Sequence, residues 1–131
     1  MMDRRLHEDK QAQEMDLPPA SAAAHFEAIA KGIGDVDIVV QGLLGRVPPS
    51  KPWQRQLLLQ LTDADRHIEI LRLAIYLERD AHEISEAAAQ LKQILQTAHV
   101  QITGGRADGW TKSAVRVALR TASLVSALLA P

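Results

Sequence analysis

Carboxylates and histidines at helical spacing are the residues of this chain from which chemistry could be built. Helical bundles use them for dinuclear metal sites, in which two Glu-x-x-His pairs project inward from facing helices. The chain has no such pair: three residues after Glu69, Glu78, Glu83 and Glu86 stand Arg72, Ala81, Glu86 and Ala89. Asp63 with His67, and Glu78 with His82, are one turn apart, the spacing of ordinary surface pairs on a helix. Cysteine is absent, which removes thiolate metal ligands, disulfides and a cysteine nucleophile, and no Gly-x-Ser-x-Gly occurs. Gly104 and Gly109 have the separation of the two glycines of a phosphate-binding loop, but Trp110-Thr111 stand where Lys and Ser/Thr are required. The expectation is a protein with no catalytic residue, metal, cofactor or small-molecule substrate.

A row of cations is the most specific signal. Lys112, Arg116 and Arg120 recur every four residues, so on a helix they form one line with ~6 Å between successive members. That interval is close to the ~7 Å between phosphates of an extended strand. Arg106 and Trp110 lie just before the row, and residues 109–131 contain no acid to neutralise it. These four cations, Arg106, Lys112, Arg116 and Arg120, are the candidate contacts to an RNA or DNA backbone. The other reading of the row is a solvated helix face. With four aromatic residues in the whole chain, backbone contact is expected in preference to base stacking.

The elements that position these residues are helices. Ser21 can cap a helix running through Phe26, Ile29, Ile33, Val36, Val40 and Leu43, weakened in its middle by Gly32 and Gly34 and ended by Gly45 and Pro48-Pro49. Whether residues 21–44 form one helix or two stays open at this point. Ser50 and Pro52 signal the next start, and Trp53, Leu57, Leu61, Ala64, Ile68, Leu71 and Ile75 then recur at three and four. A second stripe begins inside the first and keeps a strict heptad: Ile70, Ala74, Leu77, Ala81, Ile84, Ala88, Leu91, Leu95, Ala98. Thr62 with Asp65 resembles a capping box, a place for a bend. From Asp63 to His99 there is neither Gly nor Pro, so the pattern predicts one long helix over about 63–99. Its packing seam is expected at Ala74, Leu77, Ala81, Ile84, Ala88 and Leu91, alanines alternating with large residues so that a neighbouring backbone can come close. Val100–Thr103 is short and β-leaning, residues 104–109 read as a loop, and Thr111 can cap a last helix carrying Val115, Ala118, Ala122, Val125 and Leu129.

The 131 residues fit one domain, with an ordinary 47% of hydrophobic residues supplied almost wholly by Ala, Leu, Ile and Val. The sequence therefore reads as all-α, a small helical bundle built on one long central helix with two to four shorter helices against it. Residues 1–19 are expected to be a flexible charged arm and 20–131 a single helical domain. Residues 1–86 carry ten Lys/Arg against fifteen Asp/Glu, whereas 87–131 carry five against one. The first twenty residues lack an apolar leader stretch, and no run is long enough to span a membrane, so a cytoplasmic protein without membrane contact is expected. A spine striped on two sides has more apolar face than two short helices cover. The expected function is thus a non-catalytic subunit that assembles with other proteins or with itself into a larger complex. The alternative adds nucleic acid: a small helical subunit of a nucleoprotein complex, for which the small subunits of CRISPR effectors are an analogy of architecture alone.

Overall fold

The computed structural model describes residues 19–131; the arm expected over 1–19 lies outside the described residues apart from Pro19, where the first helix begins. Four helices follow: α1, Pro19–Arg46; α2, Pro52–Tyr76; α3, Ala81–Thr103; and α4, Gly109–Leu128. Among the described residues the fold is all-helical, a small helical bundle.

Each helix turns a stripe spaced at three and four residues towards a common centre. The buried positions are Ile29, Ile33, Val36, Val40 and Leu43 on α1, and Leu57, Leu61, Ala64, Ile68 and Leu71 on α2. Ala88, Leu91, Leu95, Ala98 and Ile102 on α3, with Val115, Ala118, Ala122 and Val125 on α4, complete the core. Contacts run α1–α2, α2–α3, α3–α4 and α4–α1, with none across either diagonal. Short connections make each sequential pair antiparallel: Asp37 meets Arg72 while Gln41, one turn on, meets Asp65. Gly32 faces Val125, and Arg46 faces Trp110. The arrangement is an up-and-down four-helix ring, the topology that heptad stripes and short loops favour. It puts the α1–α2 and α3–α4 connections at one end of the bundle and the α2–α3 connection at the other.

The long central helix is not continuous. The chain leaves α2 at Leu77 and re-enters a helix at Ala81, so residues 63–99 form parts of two antiparallel helices. Two local devices make the turn without Gly or Pro. Arg79 N–H donates to Ala74 O and Glu78 N–H to Ile75 O, both at 3.0 Å, with Glu78 in the left-handed region at φ 53°. That is a Schellman ending with glutamate in the position usually held by glycine. Asp80 then caps α3, its carboxylate accepting from Glu83 N–H at 2.8 Å.

Other expectations shift by a few residues. Residues 21–44 belong to a single helix that starts at Pro19, ahead of Ser21. No helix starts at Thr62, whose hydroxyl donates back to Leu58 O at 2.8 Å inside an uninterrupted α2. The β-leaning Val100–Thr103 is the last turn of α3, because Ile102 packs into the core. Asp108, not Thr111, caps α4: it accepts from the Thr111 N–H at 3.1 Å and the Thr111 hydroxyl at 2.8 Å. Of the expected seam, Ala74, Ala88 and Leu91 are buried and Ile84 is half-buried, whereas Leu77 and Ala81 are exposed at the turn. A register read through one helix puts every member on one side, and the reversal at 77–80 takes these two out of the interior.

Candidate functional site

Charge in this bundle is sorted by pairing. Among the described residues, Lys31, Arg66, Arg72 and Arg79 each hold a carboxylate: Asp35, Asp63, Asp37 with Glu69, and Glu83. The Asp37 hydrogen bond, ahead of any other influence, holds the Arg72 guanidinium above its ordinary pKa. Arg46, Lys51, Arg55, Lys92, Arg106, Lys112, Arg116 and Arg120 form no ion pair with any described residue. The paired cations are on α1 and α2 and in the turn after α2. The unpaired ones are at the end formed by the α1–α2 and α3–α4 connections, or on α3 and α4.

Local structure builds that end. Pro52 opens α2, and Gln54 reaches back so that its side-chain oxygen accepts from Ser50 N–H and Lys51 N–H at 3.1 and 2.8 Å. Arg55 folds onto the same connection, donating to Ser50 O at 3.0 Å and Pro49 O at 3.4 Å. Across the end, Lys112 donates to Gly105 O at 3.2 Å. Arg46, the last residue of α1, lays its guanidinium 4.2 Å from the centroid of the Trp110 ring, a cation–π pair joining α1 to α4. Beneath that pair is a cavity of about 150 Å³ lined by Arg46, Trp53, Gln54, Asp108, Trp110 and Thr111. In its wall the buried Trp53 indole N–H has no acceptor among the described residues. Asp108 is the one acid in the two segments 46–55 and 103–112, which hold Arg46, Lys51, Arg55, Arg106 and Lys112. The Thr111 hydroxyl, then the Thr111 N–H, hold its carboxyl below the usual range, so its charge is committed to the start of α4.

The sequence-derived cations fall in two groups. Arg106 and Lys112 join this end, and Arg116 and Arg120 continue from it along α4, exposed, with Arg116 donating to Ser113 Oγ at 3.4 Å. Arg46, Lys51 and Arg55 form no row in the sequence and come together only in the fold. Their signal was present: residues 38–62 hold these three cations and no acid, the same signature as 109–131.

The opposite end has a different character. Glu78, Asp80, Glu83 and Glu86 lie in the α2–α3 turn and the first turns of α3. Beside them a groove of about 520 Å³ runs between α1 and α2, lined by Phe26, Ile29, Ala30, Ile33, Ile75 and Tyr76. Phe26 is 67% and Tyr76 83% exposed; α2 also exposes Leu73 and Leu77, and Ile70, which lines a second groove with Asp80, Glu83 and Ala87 on the α3 side. Among the described residues no helix is long and apolar enough to cross a membrane, and no three His, Asp or Glu side chains gather to hold a metal ion.

Among the described residues, fold and surface together define a small four-helix bundle with one basic and one acidic, apolar-flanked end. Set against protein-family models, curated proteins and solved structures, the chain matches none.

Proposed function

We propose that this protein is a non-catalytic helical-bundle subunit of a larger multiprotein complex, joined to its neighbours through apolar helix faces that its own fold leaves uncovered. The observation that carries the reading is the groove between Phe26 and Tyr76, on a bundle whose α2 also exposes Ile70, Leu73 and Leu77 on another side. Two of the four aromatic residues lie on this one surface, and exposed aliphatic and aromatic side chains gathered in one place mark protein contacts. The partner is another protein subunit or a second copy of the chain, and its contribution is an apolar helix face. The assembly is cytoplasmic and takes no cofactor, metal or small-molecule substrate. Light scattering of the full chain, alone and with proteins that co-purify from its host, tests this. Tyr76→Glu with Leu73→Glu is expected to abolish association and leave the melting temperature nearly unchanged, since both residues are exposed. A monomer at high concentration with no co-purifying protein overturns it.

A second reading is favoured by one observation. Lys112, Arg116 and Arg120 form no ion pair with any described residue, which suits a subunit of a nucleoprotein complex whose α4 follows an RNA or DNA backbone. Changing all three to Gln should flatten the log–log salt dependence of binding by roughly two to three units. An unchanged slope removes this reading.

A further inference from the structure

We infer that the basic end of the bundle, rather than the α4 row alone, is a binding surface for single-stranded nucleic acid, with a base stacked on the Arg46–Trp110 pair. This rests on the nucleic-acid reading of α4 and extends it to a site that only the fold assembles. Arg46 and Trp110 are far apart in sequence and meet because α1 ends where α4 begins.

Three observations converge. Arg46, Lys51, Arg55, Arg106 and Lys112 surround this end without an ion pair among the described residues, although every described Lys and Arg around the opposite turn is paired. Cations that no carboxylate holds can neutralise phosphates, and the counterions this releases from the nucleic acid drive association. Next, Trp110 is 45% exposed despite its size, and its ring is held against a guanidinium. Planar aromatic and guanidinium surfaces are what unpaired bases stack on, in preference to a duplex whose bases are already stacked. Lastly, the cavity beside the pair is lined by Gln54, whose oxygen is committed to two backbone N–H groups, so its amide N–H₂ is the part left to face a ligand. An acidic protein would satisfy the cations but has no use for the stacked pair.

The test is fluorescence titration of the full chain with a single-stranded RNA and DNA homopolymer, an abasic oligomer of equal length and polyglutamate, over a range of salt. Trp110→Ala is expected to weaken binding to the base-bearing strands ~5–100-fold, with the salt slope unchanged and the abasic oligomer unaffected. Trp110→Phe should keep most of the affinity and guards against a folding defect, which melting curves would also show. Lys51→Gln with Arg55→Gln should flatten the slope by roughly 1.4 units on single strands. If Trp110→Ala binds as tightly as the parent, or polyglutamate binds as tightly as RNA, the stacking site is wrong. If only the Lys112/Arg116/Arg120 variant changes the slope, the end site falls and the α4 reading stands. A parent chain that binds no single strand even at low salt removes both.

Discussion

A Cβ placed on Gly32 would lie 2.5 Å from Cγ2 of Val125, so α1 and α4 approach one another at a point where only glycine fits. Val125 is buried and β-branched, and a β-branched residue in a helix has little rotamer freedom with which to retreat. Gly32→Ala should therefore overpack the contact and cost about 1–3 kcal/mol, despite the better helix propensity of alanine. Gly34, two residues on, meets nothing within 4 Å of such a Cβ. Gly34→Ala should stabilise by roughly 0.5–1 kcal/mol. Chemical denaturation of the two variants is expected to give opposite signs; equal signs would mean that α1 and α4 do not meet at Gly32.

Glu78 adopts φ 53° to end α2, and a side chain in the left-handed region costs roughly 1–2 kcal/mol that glycine avoids. Glu78→Gly should raise the stability by about 1 kcal/mol, because the Arg79-to-Ala74 and Glu78-to-Ile75 backbone bonds of the turn need no side chain. Destabilisation on this change would show that residues 77–80 continue a helix in solution, as the uninterrupted heptad stripe suggests.

That stripe explains how far the sequence could be read. The core residues of α1, α2 and α4 follow from spacing, because burial and periodicity report the same face, except that Phe26, on the α1 stripe, lies beyond the core and is exposed. The turn at 77–80 does not, since Gly and Pro are the usual punctuation and here the ending is a glutamate in a left-handed conformation. Asp80 with Glu83 three residues later was the readable start signal, and the continuous heptad masked it. At Asp108 the capping residue stood in the loop and Thr111 became its hydrogen-bond partner, a displacement of one turn. The α4 cations were legible as a row. The surface around Arg46 and Trp110 was not, because no local pattern says that two connections remote in sequence share one end of a bundle.

Two alanines of the stripe separate the continuous helix from the reversal. Ala88 is 1% exposed and packs in the core, while Ala81 is exposed in the first turn of α3. Ala88→Leu should cost about 1–3 kcal/mol through overpacking. Ala81→Leu should change stability by no more than about 0.5 kcal/mol, as surface replacements do. Thermal melts of the pair decide it, and an equal cost at both positions would restore the unbroken seam.

Asp108 provides a pH-dependent test of the α4 start on which Trp110 depends. Its carboxyl is a stronger acid in the folded chain than in an unfolded one, chiefly through the Thr111 hydroxyl and then the Thr111 N–H. The folded state therefore favours the ionised form, and the unfolded state binds the proton more readily. The resulting stabilisation is complete at neutral pH, above the ordinary carboxylate range. It is lost as pH falls from that range through the lowered folded value, where both states are protonated. Asp108→Ala should lower the melting temperature at neutral pH, and the gap to the parent should narrow steadily on acidification. Asp108→Asn, a competent helix cap without a charge, should fall between the two at neutral pH and remove this residue's share of the acid dependence. The expected companion effect is on the Arg46–Trp110 pair: in Asp108→Ala, fraying of the first turn of α4 should shift the emission of Trp110, with Trp110→Phe identifying the signal. A gap between Asp108→Ala and the parent that stays constant from neutral to acid pH would show that the carboxyl is not held by Thr111.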